Sequence, residues 1–193
     1  PPAPKIALLP GSRLPEAARN LALLTQCLTH MPQPVVAWAA VTADLYAQLS
    51  HWAESHHWQW REGALHRGDR TIYCYDTAFA DILNTCDAVV GMAGTAIEQA
   101  VGLGKPVIQI CGSGPQFTYR FAEAQMRLLG SSVRTIGTRP ATPDLLRVAA
   151  QTLNDLLHDA AYLAQCRQNG RDRVGLPGGS AAIARQFREH FLT

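Results

Sequence analysis

A chain of 193 residues with 47% hydrophobic and 17% charged side chains can build one good-sized core but not two, and that balance excludes disorder. A formal charge of +2, without a Lys/Arg run or basic-aromatic interleaving, argues against a nucleic-acid partner. The five cysteines, Cys27, Cys74, Cys86, Cys111 and Cys166, are scattered and form no C-x-x-C pair, so reduced thiols fit better than a disulfide framework or a zinc knuckle.

In chain order, "KIALL" at 5–9 reads as a buried strand. A "PGSR" turn follows, then an apolar-periodic helix over 15–28, with proline at its first position and Glu16 at its positive end. "PVVAWAA" at 34–40 is the next strand, and 42–55 the next helix. "RTIYCY" at 70–75 is a strand before the helix "AFADILNTC". "DAVVG" at 87–91, a helix from Thr95 and "PVIQI" at 106–110 continue the alternation. A helix over 118–130, a short strand "SVRTIG", two helices between Pro143 and Val174 and a last helix from Ser180 complete the chain. Strand–helix repetition with short connections predicts an α/β fold: a Rossmann-like, doubly wound parallel sheet, helices on both faces, and a helical C-terminal flank.

Ligands of such sheets bind outside the carboxyl ends of the strands. That rule gathers "PGSR", "YDTAF", "GMAGT" and "CGSGPQ" on one edge. In "GMAGTAIE", Gly91 and Gly94 allow a sharp turn and leave amides uncovered at a helix start, which attracts phosphate. Glu98 lies one turn inside, where a carboxylate can accept bonds from ribose hydroxyls. The same "TAIE" also fits a capping box, with Thr95 and Glu98 satisfying each other's backbone. Arg13, in the Gly11-Ser12-Arg13 turn, can reach a phosphate or sugar. Gln116 suits sugar hydroxyls, and Phe117 and Tyr119 fit either a pocket wall or the core. No G-x-G-x-x-G follows the first strand, and "GLGKP" fails as a P-loop because Pro106 stands where Ser or Thr belongs. His51, His56 and His57 have no clean metal-ligand spacing.

Taken together, "IALLPGSRLPEAARN", "YDTAFADILNTCDAVVGMAGTAIEQAVGLGKPVIQI" and "GLPGGSAAIARQF" resemble the C-terminal half of GT-B glycosyltransferases. The lipid-A-disaccharide synthase family is nearest in pattern, with this chain similar to a divergent branch. Where that family commonly has Ser-Gly before the threonine, this chain has Met92-Ala93-Gly94. The loop after the fifth strand also lacks the family's aromatic-basic pattern.

The resemblance implies one half of a GT-B fold, which holds a nucleotide sugar, usually UDP-linked. It implies that the Gly94-Thr95 helix start receives the diphosphate, with Gly91, Met92 and Ala93 of the preceding turn also in the substrate site, that Glu98 binds ribose and that Tyr75 to Phe79 frame the base. Gly11, Ser12 and Arg13 would lie near phosphate or sugar. The expected activity is an inverting hexosyl transfer to a lipid-like acceptor, with no cofactor and no metal. The acceptor site and base would belong to a separate N-terminal domain. The opening "PPAP" reads as a linker remnant over 1–4, so residues 1–193 are expected to form one domain of a longer protein. That protein would be cytoplasmic, with peripheral contact at the inner membrane face through the acceptor. Two rivals stand beside this reading: a non-hydrolysing nucleotide-sugar epimerase, and a nucleotide-sugar-binding domain without turnover.

Overall fold

The computed structural model describes residues 2–92, 94–114 and 117–191. Its centre is an eight-stranded sheet whose spatial order is β3-β4-β5-β2-β1-β6-β7-β8. The strands are β1 Lys5–Leu9, β2 Val36–Ala40, β3 Gln59–Arg61, β4 Ala64–Arg67, β5 Arg70–Tyr75, β6 Ala88–Gly91, β7 Val107–Ile110 and β8 Val133–Ile136. Six of them, β5-β2-β1-β6-β7-β8, pair in parallel. Relabelled in chain order these six run 3-2-1-4-5-6, the doubly wound arrangement whose winding reverses beside β1.

Successive residues of β1 are all buried from Ile6 on but enter opposite faces, as the pleat requires. Ile6 and Leu8 join a core with α1 (Glu16–Thr29), α3 (Leu49–Ser55) and α7 (Pro143–Leu157), through side chains such as Leu21, Leu24, Trp52 and Leu146. Ala7 and Leu9 face the other way, toward α4 (Phe79–Thr85), α5 (Thr95–Gly102) and α6 (Tyr119–Leu129), through Ile82, Leu83, Ile97 and Leu129. A sheet covered on both faces needs strands apolar on both sides, and β6 and β7 are buried throughout.

Two features depart from the sequence expectation. The helix expected over 42–55 divides into α2 (Ala43–Tyr46) and α3. An antiparallel hairpin, β3–β4, adds an edge beyond β5. Its two-residue loop, Glu62-Gly63, has φ of 52° and 74°; positive φ at both central residues is the hairpin-compatible turn.

The last third is helical. α8 (Ala160–Arg173) is capped by Asp159, whose carboxylate accepts from the Tyr162 amide at 2.9 Å. α9 (Gly179–Phe191) buries none of its described residues, and its Ile183, Phe187 and Phe191 form an exposed apolar stripe.

All five cysteines are free and buried. Burial pushes the Cys27 and Cys74 thiols from 9.0 up to about 12 and Cys86 to about 11. The native fold therefore retains thiol protons that the unfolded chain releases. This contribution is complete below pH 9 and lost as pH rises toward 11–12. The urea midpoint should fall between pH 8 and pH 11, and a thiol reagent at pH 8 should label native protein slowly and unfolded protein at once. Rapid native labelling would contradict the buried, protonated state.

Candidate nucleotide site at the switch of the sheet

The winding reverses where β1 lies beside β6, and a cavity of about 480 Å³ opens at the carboxyl ends of these strands. One wall is the turn after β1, with Gly11, Ser12 and Arg13. The facing wall is the start of α5, with Met92, Gly94, Thr95, Ala96 and Gln99. Thr42 after β2, Asp76 and Phe79 after β5, and Phe117 also line it, over the apolar residues Leu9, Ala40 and Val41 at the strand ends. Gly11 has φ +96°, and a Cβ there would meet the Phe117 ring at 3.4 Å. The first turn thus needs glycine for its conformation as well as its close approach to the aromatic wall.

The start of α5 corrects the capping-box expectation. Gly94 is the N-cap, with φ 150° and ψ 176°, and no side chain caps the helix. That conformation is essentially confined to glycine, so Thr95 falls at the first helical position and Glu98 at the fourth. A capping box needs the hydroxyl residue at the cap and the glutamate three positions on; here both side chains are shifted by one. The Ile97 amide turns back to the Gly94 carbonyl at 3.0 Å. The amides that lead a helix have no intrahelical partner and carry the positive end of its dipole, and in α5 they border the cavity.

Of the residues expected at the site, the fold brings Gly11, Ser12, Arg13, Phe79, Met92, Gly94 and Thr95 together around the cavity. Tyr75 is not among them. Period-two burial along β5 hides Ile72 and Cys74 and turns Tyr73 and Tyr75 outward, so Tyr75 borders a shallow cleft with Trp38 and Asp81. Gly91 lies within β6, where a Cβ would come 2.8 Å from the Ile97 side chain and 3.2 Å from the Leu9 carbonyl oxygen. Its glycine serves close packing of helix on strand. Glu98 is not part of the lining either; its Oε1 accepts from Gln125 Nε2 at 3.3 Å. Ala93 and Gln116 lie outside the described residues.

Several contributors escaped sequence reasoning. Asp76 sits in the expected "YDTAF" loop, one residue past the end of β5, and supplies a carboxylate to the lining. Thr42 and Gln99 carry no motif; only their places at a strand end and a helix start mark them. Asn20, fully buried on α1, donates to the Pro10 carbonyl at 2.9 Å and steadies the turn that carries Arg13.

Other motifs resolve into structure. Lys105 of "GLGKP" donates to the Asn84 and Cys86 carbonyls at 3.1 and 2.7 Å, holding the end of α4. His56 stacks on Trp52 with ring centroids 4.2 Å apart. Among the described residues no group of three or more His, Cys, Asp or Glu is placed to hold a metal ion, and no helix is long and apolar enough to cross a membrane.

The architecture is one half of a GT-B fold, Rossmann-like with helices on both faces. Solved structures share it. The spinosyn rhamnosyltransferase SpnG complexed with thymidine diphosphate superposes with a TM-score of 0.67 at 16% identity, over 96% of this chain and 45% of that one. EarP, which mediates arginine glycosylation of translation elongation factor EF-P, gives 0.56 at 17% identity, over 99% and 62%. The S. aureus MnaA–UDP co-structure gives 0.56 at 14%, over 97% and 46%. The chain thus spans less than half the length of SpnG. No family model and no curated protein matches the sequence.

Proposed function

We propose that this chain is the donor-binding domain of a glycosyltransferase and that its switch-point cavity receives a nucleoside diphosphate sugar, with UDP as the nucleotide. The observation that carries the reading is the pairing, around one cavity, of an uncapped glycine-led helix start with the Arg13 turn. Such a site offers backbone amides, a helix dipole and a guanidinium to a diphosphate. The SpnG and MnaA structures, one holding thymidine diphosphate and one UDP, support the ligand class.

In this reading the Gly94–Thr95 turn takes the diphosphate. Glu98, one oxygen already engaged by Gln125, offers its other oxygen to ribose. Phe79 and the Asp76 loop border the base. The reaction is an inverting hexosyl transfer to a lipid-like acceptor. A hydroxyl of the acceptor attacks the anomeric carbon as the bond to the diphosphate breaks, and the leaving charge is stabilised by donors fixed in advance. The base that takes the hydroxyl proton belongs to an acceptor domain outside this chain. The greater length of the matched proteins and the bare apolar stripe of α9 support such a second domain.

Arg13→Ala tests the phosphate side of this assignment. Loss of a charge-assisted contact is worth roughly 1.5–3 kcal/mol, so UDP affinity should fall by about tenfold or more, with uridine affinity nearly unchanged. Calorimetric titration with both ligands reads the difference. Equal loss for both would move Arg13 away from the phosphates.

A further inference from the structure

Gln125, on α6, does not line the cavity but lies against the turn that does. It is 6% exposed, and all four hydrogen-bonding positions of its amide are engaged. Oε1 accepts from the Gly94 amide at 3.0 Å and from Gln109 Nε2 at 2.9 Å. Nε2 donates to the Gly94 carbonyl at 2.9 Å and to Glu98 Oε1 at 3.3 Å. Gln109 in turn accepts from the Thr135 hydroxyl at 3.0 Å. The amide orientation follows from its partners, since the flipped form would set its NH₂ against two donors.

The side chain thus pairs with both backbone groups of Gly94, as a neighbouring strand would. Glycine has more backbone freedom to lose than any other residue, and Gly94 sits at φ 150°, where nothing intrinsic holds it. The polar chain is also expensive by position. Gln109 is fully buried in the otherwise apolar strand "VIQI", and a buried amide is tolerated only when paired. An apolar residue would satisfy packing alone; a satisfied polar network adds a unique geometry.

We infer that Gln125 is a positioning residue for the diphosphate turn: it fixes Gly94 so that the leading amides of α5 face the ligand, and it orients the Glu98 carboxylate. The inference rests on the nucleotide-site reading above. Its test compares UDP and uridine affinities of the wild-type chain and of Gln125→Met, which keeps volume and removes the amide. The expected result is a cooperative thermal transition, with UDP affinity lowered about tenfold or more and uridine affinity lowered by less, since uridine reaches Glu98 through its ribose but does not use the turn amides. A role confined to packing would lower stability and leave the UDP-to-uridine ratio at its wild-type value; that result, in a folded variant, overturns the inference. If Gln125→Met lacks a cooperative transition, Gln125→Asn carries the same comparison, because it stays uncharged and withdraws the amide from Gly94 by one methylene. Wild-type protein that binds neither ligand would instead overturn the nucleotide-site reading, and this inference with it.

Discussion

Gly170→Ala should lower the melting temperature by roughly 6–12 °C, the shift that about 3 kcal/mol produces in a domain of this size. Gly170 lies where α8 crosses the end of α5. A Cβ there would sit 2.2 Å from the Val101 carbonyl oxygen, 3.2 Å from the Gly104 nitrogen and 3.4 Å from the Gly102 carbonyl oxygen. All three neighbours are backbone, so no rotamer change relieves the overlap and the helices must part. Overpacking of this kind typically costs about 1–3 kcal/mol and occasionally more, and the backbone contact places this site at the upper end. Gly179→Ala is the control, because nothing lies within 4 Å of its Cβ position. A scanning-calorimetry trace for Gly170→Ala that matches the control would refute the close helix crossing.

Gly94→Ala should act on the ligand as well as the fold. Its Cβ position also has nothing within 4 Å, so crowding contributes nothing. The whole effect comes from φ 150° and ψ 176°, a region where a side chain costs about 1–3 kcal/mol. Either the chain keeps the turn and loses that stability, roughly 2–4 °C per kcal/mol, or the turn relaxes and the amides of α5 swing from their positions. The first route shows as lost stability with the site intact; the second weakens UDP binding, and affinity should then fall by roughly tenfold, the equivalent of about 1.4 kcal/mol. A variant with wild-type melting and wild-type UDP affinity would mean that the Gly94 conformation is not used.

The six parallel strands were legible because each is a short run of apolar, β-branched or aromatic residues bounded by turn residues, most plainly in β6 and β7, which are buried throughout. The hairpin β3–β4 was not. Its strands are three and four residues long, carry charged and aromatic side chains, and close on Glu-Gly where the strong hairpin signal is Asn-Gly or Asp-Gly. At the site, the glycine-rich loops announced themselves by residue type. Tyr75 entered with the loop that the resemblance assigned to the base, but the pleat turns it outward, and the next residue, Asp76, lines the cavity. The Thr95–Glu98 spacing fits a capping box until the backbone of Gly94 shows that the helix begins one residue earlier than that motif needs. Gln125 carries no local signal at all. It is tied to Gly94 across 31 residues of sequence, and only the folded sheet brings α6 against the start of α5.

The central assignment, a nucleoside diphosphate in the switch-point cavity, is tested most directly by a crystal structure of this chain grown with UDP. Diphosphate density is expected against the Thr95 and Ala96 amides with the Arg13 guanidinium in contact, and ribose hydroxyls within hydrogen-bonding distance of Glu98. UDP ordered instead in the cavity at the other end of the strands, beside Pro34, Asp87 and His158, or crystals grown at saturating UDP with the switch-point cavity holding only solvent, would contradict it.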